Sequence, residues 1–384
     1  MIAPGLIRLL AVTAGIAVAN IYYAQPMVGL IAASFGASGT SAVRCVTAAQ
    51  VGYALGIVLL VPLGDRVDRR RLILGQGVLL ALALLAAAAA PSLAALSVAS
   101  VVVGVASTMA QQAVPFAAEI AGERQRGRVV GQVMSGLLTG ILLARTLSGV
   151  VGERLGWRPM FVLGAAMAFA LLGWLWRALP HSRPSDRGGY GALMLSLLAL
   201  CRRHRALRRA ALVQGLLFGG FSAFWATLAL RLAQPPYGLG AEAAGAYGVI
   251  GLAGVVVAPL AGRMADRRGT RRGPWLVGLA GVLLALPGWA ALALAPGLVG
   301  IGVGVVLLDA GLQATLIANQ VTIFGLDPAA RGRLNTVFVT GIFVGGALGS
   351  FGGGLTWAAA GWPGVILFGA CSAALALAAH LLGR

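Results

Sequence analysis

The sequence predicts an all-α membrane protein of twelve transmembrane helices, arranged as two pseudo-symmetric six-helix halves. Three observations carry that expectation. Hydrophobic residues make up 59% of the 384 and charged residues 10%, with a mean hydropathy of +0.91, far too apolar for a soluble chain of this length. Apolar runs recur at the length of about 20 residues that an α-helix needs to cross the hydrocarbon layer. The polar loops between them repeat: "PLGDRVDRRRL" from Pro62 returns as "PLAGRMADRRGTRRG" from Pro259, and "IAGERQRGR" from Ile120 returns as "IFGLDPAARGR" from Ile323. Repeated loops are the mark of a chain built from two related halves.

The first six spans read at roughly 6–33, 43–63, 72–90, 93–118, 129–151 and 159–179. Span one has no small-residue cleavage site and leads straight into span two, so it is expected to stay in the protein rather than be removed as a signal peptide. Residues 177–209 form the longest and most polar connection. Within it "GALMLSLLALC" is too short to span and precedes a basic run, which suits a helix lying on the membrane surface. Spans seven to twelve follow at roughly 210–232, 243–264, 274–295, 297–324, 334–358 and 363–382. The expected domains are an N-terminal bundle (1–178), a cytoplasmic linker (179–209) and a C-terminal bundle (210–384).

The formal net charge of +19 comes from arginine alone, 29 of them, with no lysine. Twenty-four fall in one alternating set of loops and four, Arg44, Arg154, Arg158 and Arg231, in the other, while Arg145 lies inside a span. The positive-inside rule then places both termini and the arginine-rich loops in the cytoplasm, and the charge is a topology signal rather than a nucleic-acid surface. Cys45, Cys201 and Cys371 suggest no disulfide or metal site. His181, His204 and His380 sit at helix ends, so no intramembrane histidine relay is expected. Neither a cofactor nor a metal is implied.

Gly64 and Gly262 stand where one helix must pass close to another, which small residues allow. Asp68 and Asp266 come at the start of the next helix, where a carboxylate complements the positive helix end. Arg69 can then bridge to Glu119 or Glu123, and Arg267 to Asp327. A six-plus-six chain with G-x-x-x-D-R-x-G-x-R-R after spans two and eight resembles the major facilitator superfamily. Gly262 to Arg272 fits that pattern fully, whereas the first copy (Gly64, Asp68, Arg69, Arg70) lacks the second glycine. "NIYYAQP" (Asn20–Pro26) with "AAQVGYALGIVLLVPLGDRVDRRRL" is similar to a bacterial drug:proton antiporter-like branch. The resemblance implies a multi-pass transporter of the bacterial inner membrane, a central cavity lined by spans one, four, seven and ten, and a cytoplasmic gate at the two loops. Span five departs from the antiporter signature G-x-x-x-G-P-x-x-G-G, with Ile141 in place of the proline and Ala144 and Arg145 in place of the last glycines.

Polar side chains inside a bilayer are expensive and mark candidate function. Asp309, Gln313 and Gln320 share one face of span ten at i, i+4 and i+11. An ionised aspartate at mid-bilayer costs about 2.5–3.5 kcal/mol on insertion scales and keeping it protonated costs about 3–4 kcal/mol; so balanced, Asp309 is the expected proton-coupling acid. Arg145 remains charged and is its expected counter-ion. Asn20, Tyr23, Gln25, Gln50, Gln111, Gln112, Trp225, Gln313 and Asn335 are the expected substrate contacts. The aromatic residues Tyr22, Tyr23, Phe224 and Trp225 suit a partly apolar, aromatic or cationic ligand. Gly136 and Gly140 in span five match Gly341 and Gly345 in span eleven as G-x-x-x-G, expected to bring the halves together. The absence of a nucleophile–base set or a phosphate-cradling loop excludes catalytic residues and a self-contained ATP-driven pump. The leading expectation is a monomeric, proton-coupled secondary transporter exporting small organic molecules. Uptake of a polar nutrient, or a non-transport sensor on the same fold, is the alternative.

Overall fold

The computed structural model describes residues 4–182, 189–251, 257, 260–264, 272–295 and 297–382. Every regular element among them is helical, and nine helices are long and apolar enough to cross a membrane. Helices suit that solvent because each satisfies its own backbone.

Span one is not the continuous helix its apolar run predicts. It forms Pro4–Ala19 and Val28–Ser34, joined by turns. Pro26 has no backbone N–H and disfavours helical geometry in the residue before it. Asn20 Nδ2 donates to the carbonyls of Ile16 at 2.6 Å and Ala17 at 3.2 Å, serving acceptors that the broken helix leaves open. Tight bonds from Tyr22 N–H to Ala19 O and from Gln25 N–H to Tyr22 O carry the chain onward. Residues 20–27 are all buried, as irregular backbone at membrane depth has to be.

Span two is Gly39–Leu60, capped by Ser38, whose side chain accepts from Ser41 N–H at 3.1 Å. Span three is Arg69–Ala88. Span four divides at Thr108 into Leu93–Ser107 and Met109–Ile120. Spans five and six are Gly122–Leu155 and Trp157–Ala178. In the linker, Tyr190–Arg203 is an amphipathic helix that buries Leu193, Leu197 and Leu200, while Tyr190 donates its hydroxyl to Leu59 O at the end of span two. Span seven starts at Arg205, earlier than the apolar run alone predicts, and ends at Ala233. Span eight begins with Ala241–Ile250; its residues 252–256 and 258–259 lie outside the described residues, so the count of twelve crossings is not complete. Spans nine and ten are Arg272–Leu294 and Leu298–Phe324. Spans eleven and twelve run within Arg331–Leu381 and separate at Ala360 and Gly361, where Gly361 takes φ +59°, a left-handed geometry that glycine adopts without strain.

The paired glycines act within the halves, which corrects the expectation that they join them. A Cβ on Gly15 would lie 2.6 Å from Gly136 O, and one on Gly215 would lie 2.8 Å from Gly341 O. Gly140 meets Gly15, and Gly345 meets Gly215, backbone to backbone. Span five thus lies on span one as span eleven lies on span seven, and the two halves repeat the same crossing.

The contact between halves is built elsewhere, chiefly on spans two and five. Along span two from the end opposite the arginine-rich loops, Gly39 meets Leu230 and Val43 meets Gly354. Further along, Thr47 bonds Ser350 at 2.9 Å, Gln50 Nε2 donates to Ser222 Oγ at 3.1 Å and its Oε1 accepts from Ser350 Oγ at 2.8 Å, and Tyr53 packs on Phe343 at 4.4 Å. Along span five, Thr146 Oγ1 donates to Gly245 O at 3.1 Å, and Glu153 accepts from Ala241 N–H at 2.5 Å, capping span eight from the other half. Arg154 and Glu242 add an exposed ion pair at 3.4 Å. Toward the arginine-rich end, bonds among the described residues run within each half, as in Arg69 to Glu119 and Arg331 to Phe324 O.

Candidate functional site

Arg145 is the centre of the site. The span-five helix carries it to the seam between halves, where it is 5% exposed. Gly245 and Gly248 of span eight let the two backbones meet there: a Cβ on Gly245 would lie 2.5 Å from Arg145 O, and one on Gly248 would lie 3.0 Å from Arg145 Cβ. The unwound turn of span one supplies Gln25, whose Oε1 accepts from Arg145 Nε at 2.8 Å, and Tyr22, whose ring centroid is 4.7 Å from the guanidinium carbon. Span seven supplies Trp225 at 4.0 Å and Phe221 at 6.0 Å. A desolvated cation over an aromatic face gains about 2 kcal/mol. Two such faces offset the roughly 2.5–3.5 kcal/mol that an arginine costs at a helix centre on insertion scales.

Asp309 and Tyr22 both act electrostatically on Arg145. Asp309 is 8% exposed, and its Oδ2 lies 3.9 Å from where a Cβ on Gly251 of span eight would stand. The two charges singled out in the sequence therefore share one neighbourhood, where spans five, eight and ten converge. Arg145 makes its hydrogen bond through Nε; among the described residues no acceptor serves its terminal Nη1 and Nη2. Trp225 is 3% exposed, and its indole Nε1 also has no acceptor among them.

The other expected contacts divide. Gln25 and Trp225 touch Arg145 directly. Gln111 Nε2 donates to Tyr53 Oη at 3.0 Å, and Gln313 is half-buried one turn from Asp309. Asn335 is half-buried near the start of span eleven. Gln50 is consumed by the seam. Gln112 Nε2 donates to Leu60 O at 2.7 Å and Val61 O at 3.3 Å, closing the end of span two. Asn20 and Tyr23 face Gly164 of span six within the N-terminal half. Gln214 Nε2 donates to Leu312 O and its Oε1 accepts from Asn319 Nδ2, both at 3.2 Å, which joins spans seven and ten. Of the aromatic residues, Phe224 packs on Trp225 and Trp362. Phe221 carries no polar group to mark it in the sequence, and Tyr22 stands beside Tyr23 in a turn where helical periodicity cannot say which ring faces inward.

At the arginine-rich end, Gly64 packs against the Gln112 carboxamide. Arg69 donates to Asp65 at 2.6 Å and to Gly64 O at 2.9 Å, and lies 3.6 Å from Glu119. Asp68 caps span three by accepting from Arg70 N–H at 3.0 Å and also bonds the start of the linker, His181 at 2.5 Å and Ser182 N–H at 3.0 Å. Burial pushes the Asp68 carboxyl up, and the bonds from His181, Ser182 and Arg70 more than offset this, holding it below its ordinary value of 3.8. In the second copy, Gly262 approaches Ile317, and Asp327 accepts from Ala329 N–H at 3.0 Å. Asp266 and Arg267 lie outside the described residues.

Broken helices, a repeated helix crossing and charge held at the seam of two halves define a multi-pass membrane transporter. The sequence profile of the Major Facilitator Superfamily matches residues 10–350, and the chain belongs to that family. It is 40% identical over 374 residues to "Uncharacterized transporter YgaY" of Escherichia coli O157:H7, covering 96% of this chain and 93% of the relative. "Probable transporter SCO4007" of Streptomyces coelicolor is 39% identical over 363 residues, covering 93% and 82%. Among solved structures, a point mutant of the nucleoside transporter NupG superposes with a TM-score of 0.79 over 98% of this chain and 99% of its own, at 14% identity, a likeness of fold.

Proposed function

We propose that this protein is a proton-coupled secondary transporter that exports small organic molecules by alternating access. In this reading the arginine-rich end faces the cytoplasm, both termini lie there, and residues 1–178 and 210–384 rock about a monomeric seam in the bacterial inner membrane. The observation that carries it is the placing of Arg145 and Asp309 in one electrostatic neighbourhood at the seam. Protonation of Asp309 changes the charge beside Arg145, and substrate at Arg145 changes what the acid meets, so proton and substrate each alter the other's binding at one site. That is a two-state element which proton and ligand both bias. The Arg69, Asp65 and Glu119 cluster and the Asp68 tie to the linker serve as the cytoplasmic gate. The amides that would favour uptake of a polar nutrient are largely engaged in joining helices, as Gln50, Gln112 and Gln214 show.

The test uses everted membrane vesicles with an imposed pH gradient, to which cationic drugs, nucleosides, sugars and organic acids are added in turn. The expected result is a compound that dissipates the gradient through the wild type and not through Asp309→Asn. Equal responses from both would overturn the role of Asp309, and a gradient dissipated only when substrate enters from the periplasmic side would reverse the direction to uptake.

A further inference from the structure

We propose that Arg145 and Trp225 form a carboxylate receptor, so that the substrate is an organic monoanion whose apolar or aromatic body packs on the rings around them. The inference rests on the transporter reading above and adds the chemical class of the cargo. Three donors carry it. Arg145 Nε is held by Gln25 at 2.8 Å, which fixes the plane of the guanidinium and leaves Nη1 and Nη2 with no acceptor among the described residues. A pair of parallel N–H groups in a fixed plane is the fork that a carboxylate fits with two hydrogen bonds. Beside it, the Trp225 ring stacks at 4.0 Å from the guanidinium carbon, and its Nε1 is a third donor, buried and unserved. Buried donors are ordinarily matched; donors left over at a ligand site describe the acceptor that is missing.

Charge points the same way. A cationic ligand would meet a fixed positive charge and three donors, with Asp309 the acid beside them. An anion meets all of them. Asp309 and Tyr22 are the titratable groups acting on Arg145, while Phe221 and Trp225 from span seven and Gly245 and Gly248 from span eight bring none. One guanidinium beside one acid that can be protonated balances a single carboxylate rather than two. The Tyr22, Phe221 and Trp225 faces give the remainder of the ligand an apolar, ring-compatible wall.

The test measures binding of benzoate, its neutral isostere benzamide and the cation benzylamine to the full-length protein in lipid nanodiscs, by calorimetry at pH 6. Wild type, Arg145→Gln, Arg145→Lys and Trp225→Phe are compared after thermal unfolding shows each to be folded. The expected result is benzoate bound about tenfold or more tightly than benzamide, with no benzylamine binding. That preference is lost in Arg145→Gln, only partly kept in Arg145→Lys, where charge survives without the fork, and reduced in Trp225→Phe. Equal affinity for benzoate and benzamide, or a carboxylate preference unchanged in Arg145→Gln, would overturn the proposal. If a neutral or cationic compound drives proton movement in vesicles while no carboxylate binds, the receptor is refuted and the transporter reading stands. If nothing moves protons but benzoate binds through Arg145, it is the transport reading that fails.

Discussion

Replacing Gly245 by alanine should loosen the seam where spans five and eight touch. The added Cβ would stand 2.5 Å from Arg145 O and 3.1 Å from Gly149 Cα, against the 3.4 Å at which ordinary contact begins. The two backbones must therefore part by about 0.9 Å, the difference between 3.4 and 2.5 Å. Neither obstacle is a side chain that could rotate away. Overpacking of this kind costs about 1–3 kcal/mol, and it falls only on the state in which the seam is closed. The closed-to-open equilibrium should therefore shift by about 5- to 150-fold. Ser148, 0% exposed one turn from Arg145, reports the change when made cysteine in a chain whose Cys45, Cys201 and Cys371 are serine. Labelling by a membrane-impermeant maleimide, applied from the side away from the arginine-rich loops, should quicken by that factor. Gly75→Ala, where a Cβ would meet nothing within 4 Å, is the control and should leave the rate alone. A Gly245→Ala rate equal to that of the control would refute the reasoning, since it would mean that the close approach does not hold the seam.

Asp68→Asn should cost about 1–3 kcal/mol by weakening charge-assisted hydrogen bonds that tie the loop after span two to the linker. Because the folded carboxyl sits below its ordinary 3.8, its stabilisation is complete above that value and is lost as the pH falls through the lower folded value. The gap in thermal stability between wild type and variant should hold steady from pH 7 to pH 5 and close under stronger acid, and running both in a His181→Ala background removes the imidazole from the comparison. Glu153→Ala should remove the cap on span eight and open the same seam by about 1.5–3 kcal/mol at low salt, read by the same labelling. Much of that effect should fade in 1 M salt, where charges are screened within about 3 Å; an effect indifferent to salt would point to packing instead.

The fold was legible because span length and loop charge are properties of the chain alone. A run of about 20 apolar residues has few ways to exist other than across a bilayer, and "PLGDRVDRRRL" against "PLAGRMADRRGTRRG" exposes the repeat without any partner being known. What resisted reading was everything that depends on who meets whom. Gly136 and Gly140 announce a close approach, but no sequence rule says that span one, rather than span eleven, is the helix approached. Gln112 and Gln25 look alike on paper, yet one ends up on the carbonyls of Leu60 and Val61 and the other on Arg145. Within "NIYYAQP" the helical angle per residue no longer applies, so Tyr22 and Tyr23 could not be told apart, and the apolar run over 6–33 hid the break before Pro26. Arg145 itself was conspicuous, and its aromatic surroundings were not, since Phe221 is one apolar residue among many.

The Cβ-free crossings inside each half have a bearing on how faults in this protein should sort. Where Gly140 meets Gly15 and Gly345 meets Gly215, backbone lies on backbone and there is no slack to take up strain, so each bundle has to move as one piece. Substitutions at those crossings should show themselves during biogenesis, as chains that fail to assemble and are degraded. Substitutions at Gly149 or Gly245 fall on the surface that parts and rejoins in the proposed cycle, and should yield full amounts of protein that cycles at the wrong speed. Expression level and turnover number would then separate the two classes of lesion without any further structure.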